Sequence, residues 1–370
     1  MGERWVLQFC HCHYGPFLDV ARQYAALFAG SRYKVMTVFL TGEDTLEARQ
    51  GAASDEVLFL NQRSADIRGL KLKAIRQLRA ILASRPFELI IAHRFKPLFI
   101  ACLASRTLPV VGVHHAFGDY GRAPRRWLAK AFRQRLLLLG VSNAVRDDIR
   151  RRLPDWPPER IQTLYNRIDV DTVRGELLPR EAARAVLQLP ADAWIVGNVG
   201  RLHPDKDQAT LIRGFALARD RLPAGACLAI MGSGELANEL QRLAIELGVA
   251  EQVRFLGQVP AARRYFRAFD LFALSSDHEP FGMVLLEAMA ADLPLLCSDC
   301  GGGKEVVGDP TALFPLGDAA ALADRLVDQA SRAREGANPE RLRVLFSDEA
   351  ARRNWAGILA AAGLPALVPA

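Results

Sequence analysis

The chain has 370 residues, half of them hydrophobic and 24% charged, and carries a formal net charge of +7. Such a length exceeds what a single hydrophobic core usually holds, so two domains are expected, with the composition of an ordinary globular protein. No apolar run approaches the roughly 18 to 20 residues that span a bilayer, the start lacks the pattern of a signal peptide, and six cysteines without a regular framework fit reduced thiols, so a cytoplasmic protein is expected.

The charge is uneven: residues 1–170 hold 27 Lys and Arg against 15 Asp and Glu, whereas the remainder hold 21 against 26. In chain order, the first half alternates short apolar strands with helical patterns. The strands are expected at 5–10, 34–40, 56–60, 88–92, 109–113, 136–141 and 160–164. The first ends in Cys10-His11-Cys12-His13. Alternate residues of a strand point to opposite faces, so these four do not converge on one metal ion without a loop, and no metal site is expected there. His93-Arg94-Phe95-Lys96 ends the fourth strand as a candidate anion or acceptor contact, and His114-His115 ends the fifth, where a catalytic histidine could stand. Basic residues interleave with apolar ones from Arg63 to Arg85 and from Arg122 to Arg135, including Arg125, Arg126 and Lys130. These segments suit an anionic membrane surface or a phosphorylated substrate as well as a plain solvated face.

A charged stretch, 167–192, leads to a second set of strands at 194–199, 226–231, 253–256, 271–274, 294–297 and 312–314. Domains are therefore drawn at 1–168 and 169–346, followed by a helix in 347–370 that is expected to pack back toward the first domain. Strands alternating with helices imply an α/β protein with two Rossmann-like, doubly wound parallel sheets, their ligand-binding strand ends facing across a cleft. Arg201 and Lys206 follow the first strand of the second set and are placed to offset the charge of a diphosphate. A metal-binding reading of Asp205 and Asp207 is disfavoured by Lys206 between them. Met231-Gly232-Ser233-Gly234 is a turn that a phosphate could approach, and Phe255-Leu256-Gly257-Gln258-Val259 ends a strand where backbone could read a base edge. In Glu279-Pro280-Phe281-Gly282-Met283-Val284-Leu285-Leu286-Glu287 one carboxylate precedes a helix and another lies two turns inside it. Pro280 fits a first helical turn, and the positive helix end suits an anion.

With Gly302 to Glu305, Leu313-Phe314-Pro315, Val141-Ser142-Asn143 and Tyr165-Asn166-Arg167, these motifs make the chain resemble family 4 of the retaining glycosyltransferases with the GT-B fold; Arg167 stands where that family usually has glycine. The resemblance implies sugar transfer from a nucleotide-diphosphate donor to an acceptor hydroxyl, with no metal and no further cofactor. By the same resemblance Arg201 and Lys206 bind the diphosphate, Glu287 the ribose, and Glu279 the transferred sugar. Phe281, Gly282, Met283, Val259 and Gly15 contact the donor through backbone, and His114, or His115 beside it, is the first-domain histidine. The basic amphipathic first half and the lack of a signal peptide suggest a phosphorylated glycolipid acceptor, such as a lipopolysaccharide-core intermediate, reached at the inner face of the cytoplasmic membrane. Rival readings are a sugar-nucleotide 2-epimerase on the same fold and a non-catalytic basic protein binding membrane or nucleic acid. The chain lacks a recognition helix, zinc finger or aromatic-rich RNA-binding motif, so no nucleic-acid partner is expected.

Overall fold

The computed structural model describes residues 3–332 and 339–364. Two compact units emerge: one comprises the described residues up to Arg167 together with those from Asp348 onward, the other Ile168–Ser347.

The first unit carries β1 (Arg4–Cys10), β2 (Tyr33–Phe39), β3 (Glu56–Phe59), β4 (Phe87–His93), β5 (Val110–His114), β6 (Leu136–Gly140) and β7 (Ile161–Thr163). They form one sheet in the order β3-β2-β1-β4-β5-β6-β7, and all its paired neighbours are parallel. Its central strands are Val-, Ile- and Leu-rich and buried on both faces, as in β5 and β6, where every residue is inside. Continuous apolar runs of this kind are what a sheet covered by helices on both faces demands.

The second unit holds β8 (Ile195–Val199), β9 (Cys227–Met231), β10 (Val253–Gly257), β11 (Leu271–Leu274), β12 (Leu295–Ser298) and β13 (Leu313–Phe314). Their order is β10-β9-β8-β11-β12-β13, again parallel. The order reverses at β8/β11, and in open sheets of this type a ligand collects outside the strand ends at that switch point.

The helix Asp348–Ala361 belongs to the first unit although it follows the second in sequence. Trp355 is fully buried, its ring 6.1 Å from that of Phe28. Asp348 accepts from Arg22 at 3.1 Å and from Arg167 at 2.7 Å. Arg167 is itself buried, and its guanidinium also donates to the Gln23 carbonyl. The arginine at the position where glycine is usual thus ties the returning helix to the helix Pro16–Ala25.

Candidate functional site

In the second unit, β8 runs into Gly200 and Arg201, and a short 3-10 turn, Pro204–Lys206, follows. Asp207 adopts a left-handed backbone, φ 42°, and its side chain accepts from Thr210 N, starting the helix Gln208–Ala218. That sharp turn brings Lys206 back to the end of β11. Its ammonium lies 2.8 Å from Glu279 Oε2, with the two side chains only 19% and 9% exposed. The same carboxylate accepts from Ser276 Oγ at 3.2 Å and from Phe281 N at 3.4 Å, while the Lys206 carbonyl accepts from Ser275 Oγ at 3.0 Å. The Arg201 side chain is 68% exposed, with its guanidinium 3.4 Å from Asp205.

Glu279 therefore does not stand open at a helix mouth, as the spacing suggested, but is an inward carboxylate neutralised by Lys206. The helix also starts later than expected. It spans Met283–Ala290, capped by Gly282 at φ 94°, a conformation that favours glycine. Pro280 thus lies in a bend before the helix, and Glu287 sits one turn inside it, half-buried. No side chain caps this helix end, so its N-terminal dipole is available to an anion. Phe281 is buried, its ring 5.9 Å from that of Phe346, which leaves only its backbone for a ligand. Met283 and Val259 are half-buried.

Two glycine turns close around these residues. A Cβ at Gly232 (φ 153°) would lie 1.8 Å from the Gly200 carbonyl oxygen, and one at Gly302 would lie 2.3 Å from that of Pro280. Gly302 N donates to the Glu279 carbonyl at 2.8 Å, so the loop after β12 clamps the one after β11. Sequence reasoning missed Ser276, whose hydroxyl helps hold Glu279. It also missed His203, whose Nδ1 is 2.6 Å from Asp205. The Asp205 carboxylate is thus engaged by His203 and Arg201, and among the described residues no group of acidic, His or Cys side chains is arranged to hold a metal ion.

In the first unit the carboxyl ends of β1, β4 and β5 gather His11, His93, Arg94, Lys96, His114 and His115. Arg94 has an unusual φ of 73° and caps the helix Phe95–Ala104; its guanidinium lies 4.9 Å from the Phe17 ring centroid. Arg94 and Lys96 are exposed. Gly15, also exposed, caps the helix Pro16–Ala25 at φ 54°. His114 has no exposed surface: its Nδ1 is 2.7 Å from Asp119 and its Nε2 3.1 Å from the Tyr120 hydroxyl. Beside a carboxylate Nδ1 carries the proton, so both ring nitrogens are engaged and His114 does not present itself to a substrate in this structure. The partners sit five and six positions downstream, a signal the sequence did contain. His115 is partly exposed, and its Nε2 is 3.3 Å from Nδ1 of buried His93. The basic helix Ala123–Ala131 is less free than its composition suggests: Arg125 donates to Asp119 and lies over Phe95, while Arg126 donates to the carbonyls of Tyr120 and Gly121.

Burial, with help from Arg94 and Lys96, lowers the His11 pKa from 6.5 to about 4, and burial beside His114 and Arg94 lowers that of His115 to about 3. Both are neutral in the folded chain at neutral pH. The unfolded chain protonates them below 6.5, so it binds more protons there and stability falls as pH drops from 6.5 toward 4. The urea midpoint is expected to be lower at pH 5 than at pH 7.5, and His11→Asn should narrow the gap. An equal gap in the variant would remove His11 from the cause.

The parallel sheet, its switch point and the glycine turns define a doubly wound α/β architecture, and the comparisons with known proteins say which. Residues 18–172 match the model of Glycosyltransferase Family 4 and residues 179–335 that of Glycosyl transferases group 1, so between them the two cover most of the chain. The chain belongs to the group 1/family 4 glycosyltransferases. It is 38% identical over 148 residues to the lipopolysaccharide core biosynthesis glycosyltransferase LpsE of Rhizobium meliloti, covering 40% of this chain and 42% of the relative. It is 35% identical over 208 residues to the D-inositol 3-phosphate glycosyltransferase of Saccharomonospora viridis, covering 52% and 47%. Each match thus spans less than half of the relative's length. The structure of Anabaena HepE in complex with UDP and glucose superposes with a TM-score of 0.74 at 20% identity, over 96% of this chain and 99% of that one. The fold is α/β, of the GT-B kind.

Proposed function

We propose that this chain transfers a sugar from a nucleoside-diphosphate donor to an acceptor hydroxyl with retention of anomeric configuration. The observation that carries the reading is the Lys206–Glu279 pair at the switch point of the second sheet, beside exposed Arg201 and an uncapped helix end. Departure of the sugar leaves charge on the diphosphate. The Lys206 ammonium and the Met283–Ala290 dipole are in place before that charge appears, so they stabilise it with little reorganisation, and the exposed Arg201 adds its charge from solvent. Glu279, held by Ser276 and Lys206, orients the sugar hydroxyls, and Glu287 takes the ribose. Cations in the diphosphate's place make a metal ion unnecessary.

The acceptor in this reading is a phosphorylated glycolipid at the cytoplasmic face of the membrane. Support comes from the likeness to LpsE and from exposed Arg94 and Lys96 beside His115 in the first unit. No helix among the described residues is long and apolar enough to cross a membrane. His115, the partly exposed member of its pair, takes the substrate contact, held by His93, and His114 fixes the loop that follows through Asp119 and Tyr120.

A melting-temperature panel of nucleoside diphosphates and nucleotide sugars tests the donor side, because a ligand that binds the folded state raises the melting point by mass action. A shift with one nucleoside diphosphate and its sugar conjugates, unchanged by a chelator, is expected. No shift with any of them refutes the reading, and conversion of donor into its 2-epimer without acceptor would establish the rival one.

A further inference from the structure

At the amino ends of β5 and β6, on the edge of the first sheet opposite His93 and His115, lies an open pocket of about 770 Å³. Five cationic side chains line it, Arg79, Arg106, Lys130, Arg133 and Arg135, and no acidic one does. The catalytic reading uses none of them.

Two of these cations are held in place. Arg135 donates to the carbonyls of Cys102, Ser105 and Leu108, and Arg79 to those of Leu103 and Ala104, so both guanidinium groups are anchored on the C-terminal end of the helix Phe95–Ala104. The arrangement satisfies orphan carbonyls of that helix end, and it also fixes two charged forks at one wall of the pocket. The other three are exposed. Lys130 has a loose pair with Asp155 at 3.4 Å, and Arg106 and Arg133 have no ion-pair or hydrogen-bond partner among the described residues. Helix capping accounts for Arg79 and Arg135 but gives no reason to gather three further cations with so little opposing charge. Like charges repel, and an anion that bridges them removes the repulsion while meeting donors already in position.

We propose that this pocket binds a ligand bearing a phosphate or pyrophosphate group, at a site separate from the nucleotide-binding one. The N–H groups of Arg79 and Arg135 that the carbonyls leave over supply directed hydrogen bonds, and Arg106, Arg133 and Lys130 close on the remaining oxygens. The phosphate can belong to a soluble metabolite or to a lipid headgroup. The second source has its own argument: Trp127, 71% exposed, lies three positions before Lys130 and so on the same face of the helix Ala123–Ala131.

Inorganic pyrophosphate titrated calorimetrically into the full chain tests the site. Arg106→Ala/Arg133→Ala is the informative variant because neither side chain supports the fold. Saturable binding is expected, weakened about tenfold or more in that variant with the loss of two charge-assisted contacts. Partial recovery is expected in Arg106→Lys/Arg133→Lys. An equally charged control, Arg63→Ala/Arg68→Ala, should bind as the parent does, and Arg201→Ala should lose only the pyrophosphate taken up at the nucleotide site while the second binding event stays. The proposal is overturned if the parent shows no saturable binding, if the control loses as much, or if Arg201→Ala abolishes binding while the pocket variant keeps it. Co-sedimentation with phosphatidylglycerol-containing but not phosphatidylcholine vesicles, dependent on Arg106 and Arg133, would assign the phosphate to a lipid headgroup. Pyrophosphate binding without it would assign a soluble ligand.

Discussion

An Arg201→Ala variant is expected to turn donor over about 100-fold more slowly while melting at the parent temperature, since removing one charge that meets the transition state costs on the order of 10²–10³ in rate. Its side chain is mostly in solvent and leans on Asp205 only at 3.4 Å, so the fold does not depend on it. Lys206→Ala should slow turnover comparably and also lower stability. The buried Glu279 carboxylate would be left with Ser276 and one backbone N–H, and breaking a buried pair costs about 3 kcal/mol or more. Adding Glu279→Gln removes the orphaned charge and should restore much of the stability but none of the activity. Initial rates and urea midpoints for the three variants separate the two roles. Parent-like turnover in Arg201→Ala would dismiss the charge-stabilisation account, and a parent-like midpoint in Lys206→Ala would mean that the pair does not support the fold.

The second large effect is expected at Gly232, where alanine should cost about 3 kcal/mol or more. Its φ of 153° is one that residues with a side chain rarely adopt, and a Cβ there would sit 1.8 Å from the Gly200 carbonyl oxygen. The neighbour is backbone, so no rotamer change relieves the overlap. Gly232 N also donates to the Gly257 carbonyl at 2.7 Å, and the Gly200 N–H donates to Met231 at 3.0 Å. The turns after β8, β9 and β10 therefore have to move together, and Arg201 with them. Denaturation and donor binding should both suffer in Gly232→Ala, whereas Gly225→Ala, whose Cβ would meet nothing within 4 Å, bears only the strain of its φ of 76° and should keep donor affinity. Equal affinity losses in the two would mean that the close approach is not what matters.

These cases also show what could be read ahead of the structure. Every strand expected from an apolar run is present, from Arg4–Cys10 to Leu313–Phe314, with ends displaced by about one residue. Buried parallel strands are written into composition itself, and turns that admit only glycine are visible as Gly232 and Gly302. Long-range pairing is not written that way. Lys206 and Glu279 are 73 positions apart, and no local pattern says that an ammonium and a carboxylate at neighbouring strand ends will neutralise each other. The late helix start was hidden for the opposite reason: Pro280 satisfies the local rule for a first turn, yet the Gly302–Glu279 bond and the left-handed Gly282 hold the chain out of the helix until Met283. At His114, a strand-end position suggested exposure, but the loop that follows folds Asp119 and Tyr120 back over the ring.

The return of the helix Asp348–Ala361 to the first unit sets an order of events during synthesis. The second unit is one continuous stretch and can form as soon as it leaves the ribosome, whereas the first waits for Trp355 to reach Phe28 and for Asp348 to reach Arg22 and Arg167. From Arg167 to Trp355 the ribosome adds 188 residues (355 − 167), which at ordinary elongation rates takes on the order of ten to forty seconds. Throughout that time the apolar surface that Trp355 will cover stands open to chaperones and proteases, so the half of the chain made first is the half finished last.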